Sequence, residues 1–375
     1  MRNDVPMSRR FAVFATVGTM ALAGIVAGCG GDDNGGGGGG GSSSGGGGDK
    51  ASGKVGVLLP DSKSSVRWET VDRPLLKKAF EAAGVEAIIS NAEGDKSTQQ
   101  QQAEQAITNG AKVLLLVNLD SGSGAAIAAN AKSRDVKVID YDRLTLNGDS
   151  DYYVSFDNEE VGKLQGQGLV DCLGTLNGQA ITELNGSPTD NNATLFKNGY
   201  DSVLDPLYKD GKLKKAADQS VPDWDNQKAL TIFEQMLQKT NNQVDGVLAA
   251  NDGLGNAAIS ALKSRKLDQI PVTGQDATLQ GLQNIVAGDQ CMTVYKAIEK
   301  EANAAANIAI ALLKGETPKT DDTINNGQKD IPAQFETPVA VTKDNIGQYF
   351  GAPDYPTKED ICTGKLAAKC TEMGL

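Results

Sequence analysis

From Lys54 onward the chain alternates short apolar runs with segments whose apolar residues recur every three or four positions. The runs "KVGVLLP", "VEAIISNA", "AKVLLLVN" and "VKVIDYD" show no polar alternation, so each predicts a strand covered on both faces. Between them, "ETVDRPLLKKAFEAAG", "TQQQQAEQAITNG" and "SGAAIAANAKSRD" read as helices. Strands and helices in alternation predict a parallel sheet with crossover helices, a doubly wound α/β unit. The rhythm restarts at "DYYVSFDN" and runs through "GQAITELNG", "DNNATLFKNGYDSVL", "NQKALTIFEQMLQK", "VDGVLAAND", "NAAISALKSRK" and "IPVTGQDA", which predicts a second unit of the same kind. An Ala-rich helix, "AIEKEANAAANIAIALLKG", and the strand-like "QKDIPAQFETPVAV" follow. A chain of 375 residues exceeds what one core usually organises, so two lobes are expected.

In open α/β sheets ligands bind beyond the carboxyl ends of the strands, so two such lobes predict a site in the cleft between them. The polar residues collect there. Strand ends and the loops after them supply Asp61, Arg67 and Trp68, then Asp142 and Arg143, then Asp190, Asn191 and Asn192, and later Asn251, Asp252, Gln275, Asp276 and Lys296. Trp224, in "VPDWDN", is the only other tryptophan besides Trp68. Carboxylates accept from hydroxyls, Arg and Lys donate to them, and Asn does both. Two indole faces suit the C–H faces of a sugar ring. Each group has a plainer use: Asp157 and Asn158 as helix caps, Asp252 as another cap, Asp142 with Arg143 as a mutual ion pair. Their convergence on one cleft predicts a monosaccharide pocket, with a hinge just after Arg143 in "LTLNGDSD".

Composition removes other functions. The chain carries a net charge of -12 with no basic run, which argues against nucleic acid. It has no histidine, so Ser-His-Asp and Cys-His activation and every histidine-containing zinc site are closed to it. No CxxC or EF-hand-like spacing occurs, and neither a metal nor a cofactor is expected. Residues 1–28 read as a secretory signal: Arg2, Arg9 and Arg10 precede an apolar stretch, and "VAGC" resembles a bacterial lipobox that would leave Cys29 as a lipidated terminus. Residues 29–53 form a Gly/Ser tether with too little apolar surface to fold, which would hold the body near a membrane. Export permits disulfides. Cys362 and Cys370 are expected to close a small loop, leaving Cys172 with Cys291.

The segments "VRW", "VIDYDRL", "YYVSFDNEEVGKLQ", "NGSPTDNNATLFKNG", "AANDGLGNAAISAL", "VTGQDA", "MTVYK" and "INNGQKDIP" resemble, in order and spacing, the type I periplasmic sugar-binding proteins of ABC importers. The resemblance spans about residues 54–345. It implies two doubly wound parallel-sheet lobes joined by a three-crossing hinge, with residues 54–152 and 297–326 in the N-terminal lobe, 153–296 and 327–345 in the C-terminal lobe, and 346–375 as a tail. It also implies sugar contacts at Arg67, Trp68, Asp142, Arg143, Asn191 or Asn192, Trp224, Asn251, Asp276 and Lys296. The implied partners are a monosaccharide, with D-xylose preferred over glucose, galactose or arabinose, and the membrane subunits of an ABC permease, the protein itself acting as a monomer.

Two other readings compete. A sensory receptor presenting bound sugar to a membrane partner would share both fold and pocket. A carbohydrate-active enzyme would need two carboxyl groups across a scissile bond, a role in which Asp142 and Asp276 can be imagined, although both serve more simply as hydroxyl acceptors.

Overall fold

The apolar runs become strands whose side chains alternate between two helical layers. The computed structural model describes residues 53–267 and 269–375; the expected signal, tether and Cys29 lie outside the described residues. The first lobe begins with β1 (Lys54–Leu59), α1 (Arg73–Ala82), β2 (Glu86–Asn91), α2 (Lys96–Thr108), β3 (Ala111–Leu116), α3 (Ser121–Lys132), β4 (Lys137–Tyr141) and β5 (Tyr152–Phe156). In β1, Val55, Val57 and Leu59 face one core while Leu58 faces the other; β3 divides likewise, with Val113 and Leu115 opposite Leu114 and Leu116. One layer is closed by Leu76 and Phe80 of α1, the other by Ala103 and Ala106 of α2 with Ile127 and Ala131 of α3.

The second lobe holds α4 (Asn158–Leu173), β6 (Gln179–Asn185), α5 (Asn191–Lys209), β7 (Leu213–Ser220), α6 (Asn226–Lys239), β8 (Gly246–Ala249), α7 (Asp252–Ser264), α8 (Leu279–Ala287) and β9 (Met292–Tyr295). The chain then returns through α9 (Ile298–Leu313), β10 (Asp322–Asn325) and β11 (Asp330–Glu336), crosses again to β12 (Val339–Thr342), and ends in α10 (Lys358–Ile361) and α11 (Leu366–Glu372). The larger sheet has the order β10-β11-β5-β4-β3-β1-β2 and is parallel except for the β10–β11 pair. The second lobe carries the parallel sheet β7-β6-β8, and β9 pairs with β12 antiparallel. Helices α4 and α5 touch backbone to backbone, because a Cβ on Gly162 would lie 2.0 Å from the Phe196 carbonyl oxygen and one on Gly199 would lie 2.1 Å from that of Glu159.

Three expectations need correction. The second lobe does not begin at residue 153, since β5 pairs with β4 and β11 inside the first sheet. Nor does 327–345 belong wholly to the second lobe, because β10 and β11 form the edge of that first sheet. The stretch "LTLNGDSD" is therefore a loop between two strands of one lobe and not a hinge. Parallel neighbours are usually joined by a helix, and none separates Tyr141 from Tyr152, which is why the gap reads as a lobe boundary. The crossings instead follow Phe156, Tyr295 and Glu336.

The tail packs on the second lobe, with Ile346, Tyr355, Ile361 and Cys370 against Leu282 and Ile285 of α8. Cys362 is bonded to Cys370, and Cys172 to Cys291. The tail also reaches the middle crossing: the Tyr295 hydroxyl donates to Asp354 Oδ1 at 2.8 Å and the Glu299 backbone N–H to Asp354 Oδ2 at 3.2 Å. Asp354 thereby caps α9, whose own preceding residue, Ala297, has no side chain able to do so.

Candidate functional site

Strand ends from both lobes converge on one small cavity of about 30 Å³. Arg67, Trp68, Asp142 and Arg143 line it from the first lobe, Asn192, Trp224, Asn251 and Asp276 from the second, and Lys296 from the middle crossing. Asn191 stands apart, half-buried at the start of α5 and outside that lining. A helix turns about 100° per residue, so neighbours at its first turn face different ways and only Asn192 points inward.

Asp142 is the centre of the arrangement. It follows β4 with a φ of 63°, which turns its carboxylate off the strand axis. Arg67 Nη1 donates to Asp142 Oδ2 at 2.7 Å, and Lys296 Nζ lies 3.8 Å from the same oxygen. Asn192, from the opposite lobe, donates to the Asp142 carbonyl at 2.9 Å and to its Oδ1 at 3.2 Å. Burial pushes this carboxyl up, but Arg67, Lys296 and Arg143 outweigh it and hold Asp142 below the usual carboxylate range. It is an ionised acceptor inside the protein.

Asp142 and Arg143 are not the mutual ion pair expected of them. Successive residues leave a strand in opposite directions. Arg143 reaches across the cleft instead, its Nε 3.1 Å from Asp190 Oδ2, while its Nη2 donates to Ser64 Oγ at 3.2 Å. Other bonds also join the lobes: Ser65 Oγ donates to Asp276 Oδ2 at 3.2 Å and Asn251 Nδ2 to the Ser64 carbonyl at 3.4 Å. Lys296 Nζ sits 3.2 Å from Asp276 Oδ1.

The two tryptophans are fixed by polar bonds at their indole nitrogens. Trp68 Nε1 donates to Ser64 Oγ at 3.1 Å, and the Arg67 guanidinium lies 4.4 Å over its ring. Trp224 Nε1 donates to Asp190 Oδ2 at 3.0 Å, and its ring meets Phe196 edge-on at 6.3 Å. Gly186 makes room for Trp224, since a Cβ there would lie 2.0 Å from the indole.

The capping roles separate by geometry. Asp157 caps α4 by accepting from Glu160 N, and Asn251 caps α7 by accepting from Leu254 N. Asp252 caps nothing: buried behind the cavity, its carboxylate accepts from Thr278 N and Oγ1, Gln290 Nε2 and Thr293 Oγ1. Burial pushes it up to about 6 despite those donors.

Sequence reasoning missed the layer behind Arg67. Its Nε and Nη2 donate to Asp72 at 2.9 and 2.8 Å, and Nη2 also to Glu301 at 2.7 Å; all three residues are buried. Burial raises Glu301 well above the usual range, with Arg67 opposing. A signal existed, because Glu301 falls on the apolar stripe of α9, three residues after Ile298 and four before Ala305. Asp190, Gln275, Phe196, Ser64 and Ser65 also line the cavity beyond the expected set. Asp190 and Gln275 had been noted at strand ends without being chosen as contacts.

Just upstream, Asp140 is buried under the Asp142–Asp151 loop, accepting from Thr145 N and Oγ1 at 2.7 Å each. Burial pushes it up to about 7, against the pull of those bonds and of Lys329. Its folded pKa lies above the unfolded value near 3.9, so between these limits the folded state keeps a proton that the unfolded state has lost. The stability this group contributes is full below about pH 4 and falls as pH rises toward 7. Asp140→Asn, which mimics the protonated form, is expected to flatten the decline in melting temperature between pH 5 and 8; an unchanged pH profile in the variant would refute the assignment.

Known proteins with this architecture bear on what the cavity does. Residues 55–317 match the family described as the periplasmic binding protein domain. The D-xylose-binding periplasmic protein of Escherichia coli is 41% identical over 294 residues, covering 78% of this chain and 88% of that protein. The chain belongs to the type I periplasmic sugar-binding proteins. A multiple sugar-binding periplasmic receptor of Rhizobium radiobacter is 36% identical to this binding protein, covering 78% of this chain and 88% of the receptor. A crystal structure of a carbohydrate transporter solute-binding protein from Chloroflexus aurantiacus in complex with D-glucose superposes with a TM-score of 0.74 at 32% identity, covering 80% of this chain and 98% of that one. Membership of this family makes the chain a binding protein rather than an enzyme, so Asp142 and Asp276 are not a hydrolytic pair.

Proposed function

We propose that this binding protein is the extracytoplasmic receptor of an ABC importer, capturing a monosaccharide between its lobes, D-xylose before others, and offering the closed form to a permease. The observation that carries the reading is that both lobes and a crossing supply polar groups to one cavity, where Gln275 Oε1 is buried without a hydrogen-bond partner and Asp276 Oδ1 meets only the Lys296 ammonium. Buried acceptors left unpaired are costly, and sugar hydroxyls are donors of the right kind. Arg67, Asp142, Arg143, Asn192, Asn251, Asp276 and Lys296 are the hydrogen-bonding contacts, and Trp68 and Trp224 flank the ring.

Two observations favour a pentose. The E. coli relative is a D-xylose-binding protein. The cavity, with room for only two or three waters, must widen for any sugar, and a ring without an exocyclic hydroxymethyl group demands the least widening. Because contacts come from both lobes, sugar binds the closed form far better than the open one, and that difference drives closure. The "VAGC" segment supports a lipid anchor at Cys29, which would keep the receptor beside its permease on the outer face of the membrane.

A thermal-shift screen of pentoses and hexoses, followed by calorimetry, tests the proposal. D-xylose is expected to give the largest rise in melting temperature, and Ala at Trp68, Asp142, Arg143 or Asp276 to weaken binding by a factor of ten or more. No shift with any monosaccharide, or unchanged affinity in all four variants, would sink it.

A further inference from the structure

Beyond the wall formed by Arg143, Asp190 and Trp224 lies a second chamber of about 250 Å³ that shares those three residues with the sugar cavity. Glu93 and Lys96 line it from the first lobe, Thr189, Asp223 and Lys228 from the second. Its charges nearly balance, with five carboxylates in the lining against four cations; Lys228 pairs with Asp223 at 2.6 Å, Lys96 with Asp120 at 2.7 Å, and Glu93 accepts from Ser62 at 2.7 Å. A chamber with many donors and acceptors but nearly balanced charge suits a neutral hydroxylated group better than a phosphate or a uronate.

The backbone gives an independent reason to regard this chamber as built. Asp223 and Trp224 both have left-handed φ values, 61° and 55°, two consecutive residues without glycine's freedom. Such conformations cost about 1–3 kcal/mol each and persist where the surroundings impose them, commonly at ligand clamps. This turn sends the Trp224 indole to the shared wall and puts Asp223 in the outer lining. Within the wall, Asp190 Oδ1 accepts from Asn192 N and Oδ2 takes Arg143 and Trp224. One lone pair of the carboxylate remains for a ligand hydroxyl passing between the chambers.

We infer that the outer chamber is a second subsite, taking the substituent of a short glycoside or the second ring of a disaccharide whose first ring occupies the inner cavity. The inference rests on the monosaccharide reading of that cavity. Calorimetry on the mature chain with D-xylose, the methyl xylosides and xylobiose tests it; should D-glucose be the captured ring, cellobiose replaces xylobiose. Xylobiose is expected to bind within about tenfold of D-xylose. Thr189→Trp, which fills the chamber, and Lys96→Ala, which removes a donor, are expected to weaken xylobiose at least fivefold while leaving D-xylose within twofold. Binding of D-xylose without xylobiose would overturn the second subsite alone, as would an unchanged xylobiose-to-xylose ratio in Lys96→Ala and in any folded Thr189→Trp protein. If the wild type binds no monosaccharide at all, the reading of the inner cavity fails first and takes this inference with it.

Discussion

Arg67→Ala is expected to abolish sugar binding and to lower folding stability by about 3–5 kcal/mol, the usual cost of removing one partner from a buried ion pair. Arg67 donates to Asp72, Asp142 and Glu301 while its guanidinium covers Trp68. Without it, three buried carboxyl groups face one another with only the more distant Lys296, 3.8 Å from Asp142, and Arg143 left to offset their charge. Glu301, already raised by burial, would hold its proton more firmly, and Asp142 would lose the first of the three charges that keep it ionised. A protonated Asp142 is a poorer acceptor, so binding and stability fail together. Arg67→Lys is not a conservative rescue, because one ammonium cannot reproduce a planar fork that engages three carboxylates. Urea melts and calorimetry on both variants check this; wild-type stability in Arg67→Ala would mean that the network is not holding the first lobe together.

The second large effect concerns stability with binding preserved. Cys172 lies near the end of α4 and Cys291 just before β9, 119 positions apart. Closing a loop of that length removes unfolded-state entropy equivalent to about 4–5 kcal/mol, whereas the eight-residue separation of Cys362 and Cys370 gives about 2–3 kcal/mol. Replacing Cys172 and Cys291 with alanine is expected to lower the melting temperature by roughly 10–20 °C, by the usual relation for units of this size. Neither cysteine lines the sugar cavity, so affinity at 25 °C should stay within about twofold. A melting temperature equal to that of the wild type would show that the entropic estimate does not apply.

Much of this architecture is legible from local pattern alone. Unbroken runs such as "KVGVLLP" and "AKVLLLVN" are central strands because both faces are covered, and "IEKEANAAANIAIALL" is a helix because alanine lets it lie flat on the sheet. Strand ends are legible too, since Asp142, Asn251, Asp276 and Lys296 terminate apolar runs where water or a ligand must meet them. What the pattern does not encode is which sheet a strand joins. "YYVSF" and "DIPAQFE" read equally well in either lobe, and only the pairing of the first with β4 and of the second with β5 decides. The charge layer is half hidden for a related reason: Asp72 lies five positions after Arg67 in the same helical segment, but Glu301 becomes its partner only through tertiary packing, across 234 positions.

The excursion of the chain through the second lobe and back has a consequence for how the protein is made. The first sheet owns residues from both ends of the fold, with β1 near residue 54 and β11 ending at 336. A polypeptide emerging from the ribosome, or threading through a translocation pore, can complete the β7-β6-β8 sheet of its second lobe by residue 249, well before its first sheet, although the first was begun earlier. Until β11 arrives, β5 offers a bare row of peptide groups to any passing strand. A chain stalled or clipped before that point would therefore be the species most prone to aggregate, and the one a chaperone would have most reason to hold.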